Sequence, residues 1–397
     1  MNYKYILFFI LGLDALILII QTGELSISYY EASLLYGDFS PLQSIIKLSI
    51  YIFGQNDFAL RFPMIFFHIM SVLLLFNISK KYLKSQRNRA WLVLIFILLP
   101  GVMSSALIVH SAGFVLFGLL LYVYIYENYS HKYLYPILVI YLLINEGFIY
   151  LFLALSIFAL YKKEKVFFTF NLVLFLISLM LYGIDTHGSP KGYFIDSIGI
   201  YAAIFTPIIF IYLFYVLYRR YLTKEIDILW FIATVAFVFS LLLSFRQRVN
   251  LEYFAPYLML ALPLMAQTFE HSYRVRLNQF KKRYKLIFII SLSLLFINSS
   301  VIFFNQYLYL IIEKPKRHFS YKMHVAKELA AKLKERNITC VKTDKKMSIR
   351  LKYYGVTKCN KYLLQKSKLD TNHNNNVTIS YKNRVVYSAN VTKLNKI

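Results

Sequence analysis

A segment of about forty residues, 21–61, holds four carboxylates between two strongly hydrophobic runs. The four are Glu24, Glu31, Asp38 and Asp57. A carboxylate can accept a proton as a general base or can hold a cation. Glu24 and Glu31 are seven residues apart, so a helical segment would place both on one face. We therefore take Glu24 and Glu31 as candidate catalytic groups, with ordinary interfacial carboxylates as the alternative.

The remaining acids near this segment have simpler expected roles. Asp38 follows Gly37 and fits a turn or a helix cap. Asp57 and Arg61 are four residues apart, which predicts an ion pair on a helix surface. Asp14 lies inside the first hydrophobic run, where an acid is a functional candidate unless it only bonds a neighbouring helix.

Residues 187–194 read HGSPKGYF and interrupt two further hydrophobic runs. The glycines and the proline predict a turn. His187 and Lys191 bring donors and positive charge that suit an anionic head group, and Tyr193 stands beside them. A capping histidine, and a lysine that only extends its charge to the membrane surface, are the alternatives.

Two arginines, Arg246 and Arg248, follow another hydrophobic run in the segment SFRQRVNLEYFAPYL. The planar guanidinium group stays charged and matches the geometry of phosphate. We take both arginines, with Tyr253 a few residues on, as candidate phosphate-binding groups. Glu252 is near enough in sequence to neutralise one arginine instead.

Hydrophobic helices must position these groups. The 397 residues are 58% hydrophobic and 18% aromatic, with a mean hydropathy of +0.53. The apolar residues form runs rather than the alternation of a soluble protein, which predicts a polytopic α-helical membrane protein with about eleven spans. The net charge of +26 does not indicate nucleic-acid binding, because most Lys and Arg lie in short loops or in a hydrophilic tail. The expected spans are 5–20, 62–79, 90–109, 112–127, 134–145, 147–161, 166–184, 198–218, 228–245, 254–270 and 286–305.

Residues 134–161 decide the predicted orientation. Two short spans that turn at Asn145-Glu146-Gly147 keep all the short basic loops in the cytoplasm, whereas one helix would reverse every later loop. We therefore predict a multi-pass protein of the cytoplasmic (inner) membrane, with its N-terminus inside and its C-terminal domain outside. The loops expected outside are 21–61, 110–113, 145–147, 185–197 and 246–253.

The composition changes at residue 313, which predicts two domains: a transmembrane domain, 1–312, and a soluble extracytoplasmic α/β domain, 313–397. Residues 321–337 have the period of an amphipathic helix, and three segments alternate like short strands. Those segments are ITCVKT, VTISYK and RVVYSANVT. Cys340 and Cys359 both lie in this domain, and an extracytoplasmic location would permit a disulfide. An accessory cap without catalytic duty is one expectation for the domain.

The loops together resemble the GT-C superfamily of membrane glycosyltransferases, in its protein-mannosyltransferase and lipid A aminoarabinose-transferase-like branch. The family's first outer loop is matched by Glu24, Tyr29 or Tyr30, Ala32, Gly37-Asp38, Pro41-Leu42, Phe53-Gly54 and Ala59-Leu60-Arg61-Phe62-Pro63. Two later loops are matched by His187, Gly188, Pro190, Tyr193 and Phe194, and by Arg246, Arg248, Tyr253 and Pro256. The order of the motifs and the hydrophilic tail agree over most of the chain.

Three positions depart from the family's pattern. Gly23 stands where the family has the Asp of an Asp-Glu pair, and His110-Ser111 replace an Asp of the second outer loop. Glu146-Gly147 stand where the family often has Lys-Gly. Either Glu24, Glu31 or Glu146 has taken over the catalytic role, or the chain keeps the fold without transferase activity.

The resemblance implies an inverting transfer of a sugar from a polyprenyl-phosphate donor to an unidentified acceptor: a lipid, a glycan or a protein. A carboxylate would deprotonate the acceptor, with Glu24 as the first choice and Glu31 as the second. The expected donor contacts are Arg246, Arg248, His187, Lys191, Tyr193, Tyr253 and Arg61. No cofactor or metal site is predicted, although a divalent cation could take part, and membrane lipid is an expected partner. The alternatives are a non-enzymatic protein that binds or flips a lipid-linked glycan, and an inactive paralogue.

Overall fold

The computed structural model describes residues 3–183, 192–367, 376–382 and 384–394, and most of them are helical. The helices are α1 (Tyr3–Glu24), α2 (Tyr29–Tyr36), α3 (Pro41–Phe53), α4 (Asp57–Tyr82), α5 (Gln86–Leu98), α6 (Pro100–Leu107), α7 (Ser111–Asn128), α8 (Leu134–Ile144), α9 (Ile149–Lys162), α10 (Lys165–Tyr182), α11 (Phe194–Phe205), α12 (Pro207–Thr223), α13 (Ile228–Ser244), α14 (Ala255–Met259), α15 (Leu262–Val275), α16 (Asn278–Phe303), α17 (Ala326–Glu335) and α18 (Lys345–Tyr353). The strands are β1 (Tyr362–Lys366), β2 (Asn376–Tyr381) and β3 (Arg384–Lys393).

The chain has the apolar helices of a polytopic protein. Within the described ranges, five helices are long and apolar enough to cross a membrane, namely α1, α4, α7, α10 and α16. The bent pairs α5 with α6 and α11 with α12 raise this number to seven if each pair is one span. The helices α8 and α13 are apolar but shorter. The predicted count of about eleven spans is therefore not confirmed.

Proline explains both bent pairs. The axis turns by 62° between α5 and α6 and by 106° between α11 and α12. In each pair the second helix begins with a proline, which lacks the N–H needed to continue the first helix and disfavours helical backbone in the residue before it. Leu99, which precedes Pro100, accordingly has extended backbone with a φ of −63° and a ψ of 128°, whereas Thr206 before Pro207 has a φ of +66°.

The helical hydrophobic run at 134–161 is broken at the predicted place. Asn145 ends α8, and its side-chain oxygen accepts the Gly147 N–H at 2.8 Å. A Cβ on Gly147 would lie 2.6 Å from a methyl group of Val115, so only glycine allows this approach to α7. The break brings Glu146 to the surface, and α9 starts only at Ile149.

The chain folds into two compact units. Unit 1 comprises Met1–Leu16 and Met64–Ser299, and unit 2 comprises Ile17–Pro63 and Ser300–Ile397. Unit 1 has a large apolar core formed by its helices, and a smaller core lies in the C-terminal part of unit 2. Unit 2 thus combines the first long connection with the C-terminal part. The predicted division between residues 312 and 313 stays a prediction, since these units group the chain differently.

The C-terminal part of unit 2 is a small α/β structure, as predicted. Its antiparallel sheet has the order β1-β3-β2, and β3 pairs with both neighbours. Alternate residues of β2 are buried, because successive side chains of a strand point to opposite faces. The predicted strand at 338–343 forms only isolated bridges, and Cys340 is disulfide-bonded to Cys359. The predicted helix at 321–337 is shorter, since α17 starts at Ala326 after the backbone reverses at Val325, with a φ of +83°.

Candidate functional site

A small polar cavity lies in unit 1 where three connections between helices meet. Its volume is about 130 Å³, comparable to about four water molecules and so to a phosphate-sized group. Glu146, Arg248 and Tyr253 line it together with Tyr182 and other residues. We call it the Glu146 cavity. Two predicted donor-binding residues, Arg248 and Tyr253, are thus brought together with the altered position Glu146.

The Glu146 carboxylate is held by a tyrosine. The Tyr253 hydroxyl donates a hydrogen bond to Glu146 Oε1. The neighbouring backbone is fixed because the Tyr257 hydroxyl donates to the Gly147 carbonyl at 2.6 Å and accepts the Leu151 N–H at 3.1 Å. These contacts orient an exposed carboxylate at the rim of the cavity, which is the arrangement that a general base requires.

A histidine and a second glutamate form a pair beside this cavity. His110 Nδ1 accepts the Ala112 N–H at 3.1 Å and caps α7, so the other ring nitrogen, Nε2, donates a hydrogen bond to Glu252. The hydrogen bond from His110 lowers the pKa of Glu252, and burial opposes this effect. The ring of His110 lies 6.4 Å from that of Tyr253, centroid to centroid. Position 110, where the sequence departs from the family, is therefore part of this polar cluster.

The two candidate arginines differ in their surroundings. Both are exposed, but only Arg248 lines the Glu146 cavity. Within the described ranges, neither arginine side chain has a hydrogen bond or an ion pair. The alternative role considered for them, neutralisation by Glu252, is not observed, because Glu252 is paired with His110. Arg248 is therefore the arginine placed to meet an anion in this cavity.

In unit 2, Glu31 and Arg61 form a buried ion pair. Arg61 Nε donates to Glu31 Oε1 at 3.3 Å and Nη2 donates to Oε2 at 3.2 Å, and both side chains are 0% exposed. Glu31 also accepts the Ser28 N–H at 2.8 Å in the capping box that starts α2. Arg61 makes further bonds to backbone carbonyls between Thr22 and Ser26. Neither charged group is accessible, which favours a structural role over the predicted roles of base and phosphate ligand.

The predicted surface pair of Asp57 with Arg61 is wrong. Asp57 is buried at 6% exposure, and its partners come from the C-terminal part of unit 2. Lys327 Nζ donates to Asp57 Oδ2 at 2.8 Å, and the Tyr354 hydroxyl donates to Oδ1 at 2.6 Å. The spacing of four residues fits a local pair, but Asp57 and Arg61 are both buried and each pairs with a residue distant in sequence.

Glu24 is an exposed acid of unit 2. It is the last residue of α1, whereas Glu31 belongs to α2, so the expected shared helical face does not form. The residue before it, Gly23, accepts a hydrogen bond from Lys327 Nζ at 2.8 Å through its carbonyl oxygen. In the part of the chain that the structure describes, the Glu24 carboxylate has no hydrogen bond or ion pair, and it stays open to solvent.

The turn HGSPKGYF is only partly described. His187 and Lys191 lie outside the described residues, so their predicted contacts stay predictions. Tyr193 is half-buried and directly precedes α11. Gly183, the last described residue before this gap, lines the Glu146 cavity.

Two further acids have clear surroundings. Asp14 is 2.8 Å from His68 Nε2 on α4, so it bonds a neighbouring helix, the second of its expected roles. Asp38 lies in a bend, and Ser40 rather than Asp38 caps α3. Among the described residues, no three His, Cys, Asp or Glu side chains gather in a way that could hold a metal ion.

Sequence reasoning missed several residues of these networks. Arg350 donates to the Ile27 carbonyl at 2.8 Å and to Ser26 Oγ at 3.2 Å, so it fixes the segment between α1 and α2. Lys327 and Tyr354 act beside it through Asp57. No local pattern marks these three residues, because their partners lie about three hundred positions earlier in the chain.

Comparison with known proteins identifies the type of fold. No protein-family model and no curated protein matches the chain. A solved structure, the crystal structure of ArnT from Cupriavidus metallidurans in the apo state, resembles it with a TM-score of 0.60 and 10% sequence identity. The match covers 98% of this chain and 97% of that chain. Because ArnT is a lipid A aminoarabinose transferase of the GT-C type, the likeness confirms the predicted GT-C-like fold; at this identity it establishes the fold alone.

Proposed function

We propose that this GT-C-like chain transfers a sugar from a polyprenyl-phosphate donor to an acceptor hydroxyl or amine at the outer face of the inner membrane. The carrying observation is the Glu146 cavity, which is lined by both a tyrosine-held carboxylate and Arg248. A base and an anion-binding group in one cavity are what such a transfer requires. The fold likeness to ArnT supports the same class of reaction.

In the proposed step, the acceptor oxygen or nitrogen attacks the anomeric carbon of the donor. The bond from that carbon to the phosphate oxygen breaks, and its electron pair leaves with the lipid phosphate, so the configuration inverts. Glu146 takes the acceptor proton, an effect worth roughly two to four orders of magnitude in rate. Arg248 stabilises the negative charge that develops on the phosphate, because its planar fork matches phosphate oxygens.

The remaining candidates have subordinate places in this proposal. Glu24 is the alternative base, since it is exposed and matches the family's first-loop acid. Arg246, His187, Lys191 and Tyr193 are proposed to contact the donor outside the Glu146 cavity. Glu31 and Arg61 are proposed to hold the first loop in place through their buried pair.

The orientation proposed here places the C-terminal domain outside the cytoplasm and the N-terminus inside. The Cys340–Cys359 disulfide supports this, because disulfides persist in oxidising compartments. The basic loops that follow α4, α9, α12 and α15 support it as well, because positive loops stay in the cytoplasm.

The decisive experiment is transfer in vitro from a panel of polyprenyl-phosphate sugars, measured as release of free polyprenyl phosphate. We compare the parent chain with Glu146→Gln and with Glu225→Gln, a control in which an exposed acid just after α12 loses its charge. Loss of turnover in Glu146→Gln alone is the expected result. Loss in Glu24→Gln with full activity in Glu146→Gln would move the base to Glu24. Donor binding without turnover of any donor would replace transfer by binding or transport.

A further inference from the structure

A larger cavity lies in unit 1 and has no part in the proposed transfer. Its volume is about 670 Å³, within the range of roughly 300–1,000 Å³ that is usual for ligand sites. Side chains of α5, α12, α15 and α16 form its walls. We call it the Trp91 cavity after the tryptophan on α5 that lines it.

Basic residues lie at the rim of this cavity. Arg87 lies in the first turn of α5, Arg274 in the last turn of α15, and Lys285 near the start of α16. From this rim, α5 leads through α6 to His110, and α15 leads back through α14 to Glu252. The Trp91 cavity and the Glu146 cavity therefore open at opposite ends of these helices.

The walls below the rim are apolar and aromatic. Phe288 of α16 contacts Trp91 edge-on with 5.7 Å between ring centroids, and it lies 5.4 Å from the ring of Phe269. Fully buried side chains, among them Leu92 and Leu295, close the deep end. The outer wall is α16, of whose most apolar stretch only 11% is buried. A hydrocarbon chain can therefore enter from the side, where it would meet mostly apolar and aromatic side chains.

The charges at the rim are unequally satisfied. Arg274 donates to Glu270, so its charge is already balanced. The side chains of Arg87 and Lys285 are both exposed and, in the described ranges, have no hydrogen-bonded or ion-paired partner. An apolar slot beneath two unneutralised cations matches a molecule with a negative head and a hydrocarbon tail. In the proposed orientation this rim is on the cytoplasmic side, where basic pockets between membrane helices recognise anionic lipid head groups.

We infer that the Trp91 cavity binds an anionic phospholipid of the surrounding bilayer. Arg87 and Lys285 contact the head-group phosphate, and one acyl chain lies against Trp91, Phe269 and Phe288. The site is distinct from the proposed donor site, because it lies at the other end of unit 1 and contains none of its residues. Its occupancy would stabilise the packing of α16, the least buried of the long helices, against α5 and α15.

Tryptophan quenching tests this inference. The chain has two tryptophans, and Trp230→Phe leaves Trp91 as the reporter. The purified full chain in mixed micelles is titrated with phosphatidylglycerol or phosphatidylcholine that carries brominated acyl chains. We expect brominated phosphatidylglycerol to quench Trp91 at a lower mole fraction than brominated phosphatidylcholine does. The preference should fall by roughly fivefold for each cation removed in Arg87→Gln and Lys285→Gln.

Matched variants separate a site from general surface charge. Lys84→Gln with Lys282→Gln removes the same charge from neighbouring exposed positions that do not line the cavity, and it should keep the preference. Native mass spectrometry of the chain with both tryptophans gives a second measurement, in which phosphatidylglycerol should be retained by the parent and lost by Arg87→Gln/Lys285→Gln. Equal quenching by both lipids, or equal loss in the matched variant, would overturn the inference. Retention of polyprenyl phosphate in place of phospholipid would overturn the identity of the ligand.

Discussion

The Tyr354 hydroxyl joins Asp57 to the backbone of the first connection: it donates to Asp57 Oδ1 at 2.6 Å and accepts the Ile27 N–H at 2.8 Å. Tyr354→Phe would leave a buried N–H and a buried carboxylate each without one partner. We expect a loss of about 1–3 kcal/mol in the free energy of unfolding. Thermal unfolding in detergent measures it. Tyr362→Phe, whose hydroxyl has no partner in the described residues, is the control and should change the melting temperature little.

The buried pair of Glu31 and Arg61 gives a second prediction. Arg61→Met leaves the Glu31 carboxylate buried without its cation, and breaking such a pair costs about 3–5 kcal/mol. The melting temperature should therefore drop much further than in Glu24→Gln, where the acid is exposed. Replacing both residues by Met should restore part of the loss, because no unpaired charge remains. A drop no larger than that of Glu24→Gln would refute the structural role assigned to the pair.

Two histidines of unit 2 predict acid sensitivity. Burial, with help from His318 and Arg350, lowers the pKa of His324 to about 3, and burial also lowers the pKa of His318. Between a pH of about 6.5 and 3, His324 is protonated in the unfolded chain but neutral in the folded one. The free energy of unfolding therefore falls as the pH drops through this range. The expected slope for His324 is about 1.4 kcal/mol per pH unit. Melting curves across this range should be flatter for His324→Gln but unchanged for His131→Gln, an exposed histidine of unit 1.

The disulfide predicts both stability and location. Cys340 and Cys359 close a loop of 19 residues, and such a crosslink contributes about 3 kcal/mol. Replacing both by Ser should make the C-terminal part of unit 2 more sensitive to protease.

The same cysteines test the proposed orientation, which places this part outside the cytoplasm. After mild reduction of the parent chain, a membrane-impermeant thiol reagent should label them in intact spheroplasts. Labelling only after lysis would reverse the proposed orientation.

The two neighbouring arginines should differ in kinetics. Arg248 lines the Glu146 cavity and Arg246 does not, although both are exposed. Arg248→Gln should lower kcat/KM for the donor by about two to three orders of magnitude, the usual range for loss of a charge-stabilising donor. Arg246→Gln should have the smaller effect. A larger effect of Arg246→Gln would place the phosphate outside this cavity.

Sequence patterns predicted the features that depend on neighbouring residues. The break at Asn145-Glu146-Gly147 was predicted from the placement of the basic loops; the structure shows that Asn145 and Gly147 form it locally. The sheet of the C-terminal part was predictable in type because alternation is a local property, although the segment at 338–343 became only bridges. Helix length was less predictable: prolines at 100 and 207 divide hydrophobic runs that composition alone joins.

The partners of charged residues could not be predicted in the same way. Asp57 and Arg61 have the spacing of a helix pair, yet each is neutralised by a residue from another element. The pairing of His110 with Glu252 likewise joins segments 142 positions apart. A buried charge takes whichever partner the tertiary fold brings to it, because leaving it unpaired costs several kcal/mol. The spacing of charged residues along the chain is therefore not enough to predict their partners.

The contact of Arg350 with Ser26 spans 324 positions, and it has a consequence for biosynthesis. The ribosome completes the segment around Ser26 long before it reaches the buried partners of that segment, Arg350 and Tyr354, which follow more than three hundred positions later. Until then, Ser26 and Ile27 lack the hydrogen bonds that stabilise them in the finished molecule. Non-local contacts of this kind form slowly. Ribosome-bound chains truncated before residue 350 should therefore expose this segment to protease, and a chaperone that shields it would raise the yield of folded protein.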